Sequence, residues 1–324
     1  PPRRLRAHAG LLARRADLPG IVVAANAQVE LDQITLDNNL RIGNGANVTV
    51  SNGLILNGTV TVFNEGTVTN LKINGSQTIS GTGRIVLAGT SNSNRSRILT
   101  NLDETLTIGA NITIQADVGG QIGAAGAIVN AGTIIGNSAN GTLTLLASSI
   151  DNQGTIDARA GRLNMSAVTN LVAGTLTGGL WRVAGGATLD VSDLNVTTLL
   201  ANVVIDGVGS KFLNGASGNA LAGLNAIGTT GRLSLLSGHV LATTGDVAND
   251  GMLTVGAGSR LNVGGAFTQS NAASLTIGAS GASQFGALAI TGAATLAGEL
   301  KLSIPAGGDV QLATLTPLTF GSRS

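Results

Sequence analysis

The chain has 324 residues, a hydrophobic fraction of 43% and a formal net charge of +1, with 48 glycines, no cysteine and one tryptophan. Aromatic residues make up only 2% of the chain, so its core is expected to consist of aliphatic side chains rather than large rings. The composition excludes a disordered chain, a collagen and a disulfide-stabilised domain, and the small net charge provides no field that attracts nucleic acid or anionic lipid.

The first 20 residues differ from the rest because arginines are concentrated there. A weak helical pattern that ends near Pro19 predicts a short helix or an ordered arm. Such an arm would cap the first coil of a repeat structure, whose open end otherwise exposes apolar interior and an unpaired strand edge. The alternative is a docking arm for a neighbouring subunit, with assembly contacts at Arg3, Arg4, Arg14 and Arg15.

Short alternating runs begin at Ile21. Residues 48–50 and 60–62 both read Val-Thr-Val, the period of two that is typical of a half-buried strand. Turn residues such as Asn57-Gly58 separate these runs, since asparagine and glycine tolerate the left-handed backbone conformation of sharp corners. The pattern therefore predicts many short strands joined by tight turns.

Further along, the same motifs return at a step of 20 residues. Gly141, followed by TLTL, returns as Gly161, followed by RLNM, and Gly231-Arg-Leu returns as Gly251-Met-Leu. A repeat this short is one coil of a solenoid rather than a domain. The chain is therefore predicted to be all-β: a right-handed single-stranded parallel β-helix, continuous over residues 21–304, with coils of about 17–22 residues. Its core is predicted to include Leu143, Leu145, Leu163 and Met165.

Three segments depart from this regular pattern. A polar insertion is predicted near residues 88–97, and an irregular coil near residues 211–227. Residues 305–324 contain strand-forming residues and are predicted to form a C-terminal coil, either truncated or completed by further chain or a neighbouring subunit.

Several of the repeated segments have a familiar order: NAGTI from residue 130, GTLTL, DNQGTIDA and GTLTGGLWRVAGGATLDV, with LTIGASGASQFGALAITGAATLAGELKLSI towards the end. Together they resemble the β-strand-repeat regions of large secreted bacterial surface proteins, namely autotransporter passengers and filamentous-haemagglutinin-like adhesins. The resemblance covers roughly residues 100–320. It implies a right-handed parallel β-helix, export from the cell and often no catalytic residues, and it transfers no binding residue to this chain.

Candidate catalytic residues are few. Asp190, Asp193 and Asp206 would suit glycoside hydrolysis if adjacent coils brought two of them together. Aspartates in these sequence contexts more often occupy corners and outward positions. Trp181 is the candidate glycan contact, because an exposed indole ring stacks on sugars, although packing on the solenoid is the alternative.

The two histidines, His8 and His239, are far apart in sequence, and His239 is expected at the surface. No metal-ligand, calcium-loop or phosphate-loop motif is present in the sequence, so no metal and no cofactor are expected. A recurring asparagine before the glycine of the motif is expected to form an internal ladder that satisfies backbone groups of turns, at Asn64, Asn130, Asn152 and Asn249.

These observations favour a non-enzymatic structural or adhesive rod of a secreted bacterial cell-surface protein. The expected partners are copies of itself, other surface proteins or glycans, and not nucleic acid, and no transmembrane segment is expected. Two alternatives stay open: a subunit of an extracellular filament or sheath assembled end to end, and a carbohydrate-active β-helix, either a polysaccharide lyase or a hydrolase.

Overall fold

The structure, a computed structural model, describes residues 5–7, 20–215, 218–281, 283–304 and 316–323. Within these ranges the chain contains no helix, and its short strands stack in parallel from coil to coil. The protein is therefore a β-solenoid, which confirms the predicted all-β parallel fold. Its internal contacts divide it into two units, Pro1–Thr169 and Asn170–Ser324.

The described residues of the first unit form seventeen strands: β1 (Leu5–Ala7), β2 (Ile21–Val23), β3 (Gln28–Leu36), β4 (Leu40–Ile42), β5 (Asn47–Leu56), β6 (Thr59–Asn64), β7 (Thr69–Asn74), β8 (Gln77–Gly81), β9 (Arg84–Gly89), β10 (Ser96–Thr100), β11 (Thr105–Ile108), β12 (Thr113–Ala116), β13 (Gly120–Ile122), β14 (Ala127–Asn130), β15 (Thr133–Leu145), β16 (Ser149–Asn152) and β17 (Thr155–Met165).

These strands form three parallel stacks. The first stack consists of β2, β4, β6, β9, β12 and the first parts of β15 and β17. The second consists of β1, the first parts of β3 and β5, then β7, β10, β13 and the second parts of β15 and β17. The third consists of the second parts of β3 and β5, then β8, β11, β14 and β16.

The core of the first unit is built from aligned aliphatic side chains. In the second stack the strand register places one buried residue of each coil on the next, as Val48, Leu71, Ile98, Ile122, Leu145 and Met165. Each fully buried aliphatic side chain contributes about 1.5–3 kcal/mol relative to an exposed one. Leu143 and Leu163 are paired and buried in the same way, so all four predicted core residues are confirmed.

Glycine at the repeated motif position has a steric reason at Gly161. Its φ is +62°, in the left-handed region, and a Cβ atom there would overlap the carbonyl oxygen of Ser138 on the preceding coil. Only glycine combines this backbone conformation with so close an approach of two coils. The 20-residue step that is visible in the sequence therefore marks corners where successive coils touch.

Two departures from the regular pattern can be followed in the first unit. The described part of the N-terminal segment is strand β1, which pairs in parallel with residues 29–31 of β3. The arginines proposed as assembly contacts, Arg3, Arg4, Arg14 and Arg15, lie outside the described residues. In the predicted polar insertion, residues 90–95 form the irregular connection between β9 and β10.

The second unit contains β18 (Leu171–Val172), β19 (Thr175–Leu176), β20 (Leu180–Ala184), β21 (Thr188–Val191), β22 (Thr198–Leu199), β23 (Asn202–Asp206), β24 (Lys211–Leu213), β25 (Ala226–Ile227), β26 (Arg232–Leu236), β27 (Val240–Thr243), β28 (Val247–Asn249), β29 (Met252–Val255), β30 (Arg260–Val263), β31 (Phe267–Gln269), β32 (Ser274–Gly281), β33 (Gln284–Phe285), β34 (Ala287–Ile290), β35 (Ala293–Leu296), β36 (Glu299–Ser303), β37 (Leu318–Thr319) and β38 (Ser322–Arg323).

This unit also has parallel stacks. One runs through β20, β23, β26, β29, β32 and β36, a second through β19, β22, β25, β28, β31, β35 and β38, and a third through β27, β30, β34 and β37. In the predicted irregular coil near residues 211–227, Phe212 on β24 is buried, and so are Leu221 and Leu224 between β24 and β25.

Candidate functional site

The three aspartates considered for glycoside cleavage lie in different surroundings. Asp190 on β21 pairs in register with Leu213, and Asp206 on β23 pairs with Ala184. Asp193 occupies the turn after β21, where its φ is 62°. The register therefore places no two of these carboxylates opposite each other on adjacent coils.

The carboxylates of two of these residues have structural contacts. Asp190 is buried, and its Oδ1 accepts a hydrogen bond of 2.8 Å from the backbone N–H of Gly215. The expectation that Asp190 lies outward at a corner is thus wrong, because the following coil covers it. Asp206 is half-buried, and its Oδ2 lies 3.3 Å from Nη2 of Arg182.

Trp181 does not present its ring to a sugar. Only 1% of the residue is exposed, and it takes an inward position on β20, where it pairs with the buried Val203. Its indole Nε1 donates a hydrogen bond of 3.1 Å to the carbonyl oxygen of Gly178. The predicted glycan contact is therefore corrected: a ring with both faces in the core has no surface on which a glycan can stack.

His239 is a second correction, because it is buried rather than at the surface. Its Nε2 has no hydrogen-bond partner within the described part of the chain. Burial lowers the pKa of the imidazole, since it disfavours the charged form, and a hydrogen bond with the backbone of Gly207 opposes this effect. The side chain is consequently harder to protonate in the folded protein than in the unfolded chain.

The predicted asparagine ladder is present in the first unit. Asn130 and Asn152 pair in register in the third stack and are fully buried. The Nδ2 group of Asn130 donates to Oδ1 of Asn152 at 2.8 Å and to the carbonyl oxygen of Thr155 at 3.1 Å. Because buried amides are costly without partners, these two bonds offset the cost of the Asn130 Nδ2 group, whereas its buried Oδ1 has no partner among the described residues.

Of the other two asparagines, Asn249 makes an equivalent contact with its register partner Gln269, whereas Asn64 is the register partner of Gly89 and is not part of an in-register ladder. Asn64 donates to Oγ of Ser96 at 2.9 Å, and Asn249 donates to Oε1 of Gln269 at 3.1 Å. Gln269 in turn donates to the carbonyl oxygen of Ala297 at 2.6 Å. The asparagine contacts are structural, as predicted, but the in-register pairs are Asn130 with Asn152 and Asn249 with Gln269, and Asn64 is an exception.

Among the described residues, no group of three or more histidine and acidic side chains is arranged to hold a metal ion. In the same part of the chain, no helix is long and apolar enough to cross a membrane.

A polar groove of about 930 Å³ lies on the first stack of the first unit. It crosses β2, β4, β6, β9 and β12 and the turns before them, and the residues used to define it here are Asp37, Arg41, Asn57, Thr59, Thr61 and Arg84. Five neighbouring strands at a spacing of about 4.8 Å give the groove a length of about 19 Å. It is an elongated surface site rather than an enclosed cavity.

Two arginines flank the middle strand of this groove. On one side of β6, Arg41 is the register partner of Thr61; on the other side, Arg84 is the register partner of Thr59. Both arginines are exposed, and the guanidinium carbon of Arg41 lies 4.0 Å from the ring centroid of Phe63. This cation–π contact orients the Arg41 side chain and leaves its N–H groups available.

The other polar side chains of the groove differ in whether they have a hydrogen-bond partner within the protein. Oδ1 of Asp37 accepts a hydrogen bond of 2.7 Å from Nδ2 of Asn57, so this acid is held at the corner of its coil. Within the described ranges, the hydroxyl groups of Thr59 and Thr61 have no hydrogen-bond partner, and neither Arg41 nor Arg84 forms an ion pair. The groove thus combines two free cations with free hydroxyl groups.

The sequence pattern did not reveal this groove. Arg41 and Thr61 each occupy the outward position between two apolar residues, which marks them as exposed. Arg84, however, is 43 residues from Arg41, and only the coil lengths determine that both lie beside β6. The missing information is the register of three successive coils.

Comparison of the chain with protein-family models, with curated proteins and with solved structures gives no match. The β-solenoid of stacked parallel coils is shown by the structure, whereas the predicted relation to autotransporter passengers and haemagglutinin-like adhesins stays a prediction.

The ladder leads to a stability prediction. Asn130→Ala is expected to lower the free energy of unfolding by about 2 kcal/mol, because the acceptors of a buried amide lose their donor. Asn137→Ala is the control: this asparagine is exposed and donates to Oδ1 of Asp117 at 3.1 Å, and its loss is expected to cost less than about 0.5 kcal/mol. Chemical denaturation of both variants measures the free energies of unfolding. An equal decrease in the two variants would show that the buried ladder contributes no more to stability than an exposed hydrogen bond does.

The buried His239 leads to a pH prediction. Above its ordinary pKa of 6.5 the imidazole is neutral in both states, so its contribution to stability is fully present. As the pH falls below that value, the unfolded chain takes up a proton that the folded chain resists, so the free energy of unfolding decreases until the pH passes the lowered pKa of the folded state.

Replacing His239 by glutamine is expected to flatten this part of the pH profile. The measurement is chemical denaturation from pH 7.5 to 5 for both proteins. Identical slopes in the two proteins would contradict the assignment of the pH dependence to His239.

Proposed function

We propose that this chain is a non-enzymatic structural or adhesive segment of a secreted bacterial surface protein. The observation that carries the proposal is the coil-to-coil register, which aligns aliphatic side chains inside the first unit and leaves the alternate positions outside. A solenoid of this kind acts through geometry, because stacked coils hold outward side chains at a constant spacing of about 4.8 Å.

The surroundings of the acidic residues support a non-enzymatic role. Glycoside hydrolysis requires two carboxyl groups that face one bond from a short distance. Here Asp190 is bound to the backbone of Gly215, and Asp206 lies beside Arg182. Both carboxylates are used in structural contacts, which favours the structural role over the carbohydrate-active alternative.

Export to the cell surface is supported by the resemblance of the repeated segments to secreted solenoids. The lack of cysteine is consistent with this, because many bacterial surface solenoids contain no disulfide bonds. On this proposal the partners are surface proteins, glycans or other copies of the chain, and no cofactor is needed.

The proposal is tested in two ways. Treatment of intact cells of the source bacterium with protease is expected to remove the chain while a cytosolic protein survives. The purified chain is expected to release no reducing ends or unsaturated products from acidic and neutral polysaccharides, and the variant Asp190→Asn/Asp193→Asn/Asp206→Asn is expected to behave identically.

Either experiment can contradict the proposal. Protection of the chain together with the cytosolic control would place it inside the cell. Cleavage of a polysaccharide that disappears in the triple variant would establish the enzymatic alternative.

End-to-end assembly is a second candidate, because the last strand of one stack in the second unit carries exposed leucines. Leu300 and Leu302 on β36 align with the buried Leu275 and Ile277 of the preceding coil, yet they are 57% and 54% exposed. Among the described residues, β36 pairs only with β32, so its outer edge offers unpaired backbone groups beside an apolar surface. We propose that a coil of a neighbouring copy covers this edge.

Sedimentation velocity over a range of concentrations tests coverage by a neighbouring copy. The wild-type chain is expected to self-associate, and Leu300→Ser/Leu302→Ser is expected to weaken association by about tenfold or more because it removes apolar contact area. Val208→Ser/Val240→Ser is the matched control, since it removes exposed apolar side chains from other coils of the same unit. A wild-type chain that stays monomeric throughout would contradict assembly between copies.

A further inference from the structure

The polar groove on the first unit has a composition suited to a charged, hydroxyl-rich ligand. The two guanidinium groups of Arg41 and Arg84 are exposed and form no ion pair in the described part of the chain. Among the described residues that line the groove, Asp37 is the one acid, and its hydrogen bond from Asn57 involves a neutral amide, so two arginines and one aspartate give the lining a formal net charge of +1. Charge complementarity therefore favours an anion, and the fork of N–H donors on arginine matches carboxylate and sulfate oxygens.

The spacing of these arginines favours an extended ligand. They lie on strands that are separated by β6, so their backbones are about 10 Å apart along the stack. The groove extends for about 19 Å across five strands, which is longer than a single small anion. A chain with acidic groups at intervals comparable to a disaccharide would contact both.

The residues between the arginines favour a sugar backbone for this chain. The hydroxyl groups of Thr59 and Thr61 lie on β6 and are free to exchange hydrogen bonds with hydroxyl groups of a ligand. Nucleic acid is disfavoured, because single strands bind through aromatic side chains on which their bases stack. The nearby aromatic ring, Phe63, is already covered by Arg41.

We infer that the polar groove binds an extended acidic polysaccharide, with carboxylate or sulfate groups on Arg41 and Arg84 and sugar hydroxyl groups on Thr59 and Thr61. The inference deepens the proposed function, on which it rests, because it names the class of ligand that an adhesive surface segment would hold. The polysaccharide lies along the stack, across the strands, over the five coils that line the groove.

Binding of the full chain to four polymers tests the inference. The probes are polygalacturonate as the carboxylated polymer, dextran sulfate as the sulfated one, unmodified dextran as the neutral one and single-stranded DNA as a different polyanion. Binding to at least one acidic polysaccharide and not to dextran is expected, with an affinity that falls as salt is raised. The preference between the first two probes identifies the anionic group.

Three variants assign the binding to the groove. Arg41→Gln/Arg84→Gln is expected to weaken binding of the acidic polysaccharide about tenfold or more, since it removes two charge-assisted contacts. Arg232→Gln/Arg260→Gln makes the same change of charge at exposed positions of the second unit and is expected to change binding less than about twofold. The single variant Arg84→Gln is also expected to bind the acidic polysaccharide more weakly than the wild-type chain. Because it leaves the contact between Arg41 and Phe63 intact, this loss of binding is not explained by a changed conformation of β6.

Several results would overturn the inference: no binding of either acidic polysaccharide, an equal loss in the two double variants, or DNA that binds as tightly and depends equally on Arg41 and Arg84. Circular dichroism and thermal unfolding of each variant confirm that it is folded. A failure here leaves the chain's position outside the cell and its lack of cleavage activity unaffected, whereas failure of the protease experiment on intact cells would contradict the proposed function itself.

Discussion

The in-register stacking of parallel strands is the constraint on which the other features depend. A strand alternates its side chains between two faces, so a slip of one residue between coils would move every inward side chain outward. The column that includes Leu71, Ile98 and Ile122 shows that the register keeps aliphatic residues on aliphatic residues. Because one coil cannot bury its own apolar face, each coil is stable only against its neighbours.

That same stacking makes buried polar groups acceptable at a few positions. Asn130 and Asn152 occupy inward positions in an aliphatic interior, where an unsatisfied amide would cost about 1–3 kcal/mol. Their side chains are aligned by the register, so one amide donates to the next and to the carbonyl oxygen of Thr155 at the start of β17. His239 has no such donor or acceptor for its buried Nε2 among the described residues, and burial disfavours its charged form.

Outward positions are under a weaker constraint, and surface chemistry can therefore be built there. An outward side chain needs only to suit its neighbours on the same face, so Arg41, Thr59 and Arg84 can lie around one strand without disturbing the core. A repeated backbone thus provides evenly spaced positions for contacts with a long ligand or with another protein. The proposed adhesive role and the proposed polysaccharide site both use this property.

The sequence by itself determined the parallel solenoid, the inward positions of Leu143 and Leu163, and the asparagine ladder, because alternation along a strand and glycine at tight corners are local properties of the chain. Only the tertiary structure decided that Trp181 is buried in the core, that His239 is covered, and that Arg41 and Arg84 lie beside β6. The physical reason is that coil length varies, and the register between coils depends on the sum of all the turns between them. Burial of a single tryptophan or histidine, and the meeting of two distant arginines, follow from that non-local register rather than from any short segment.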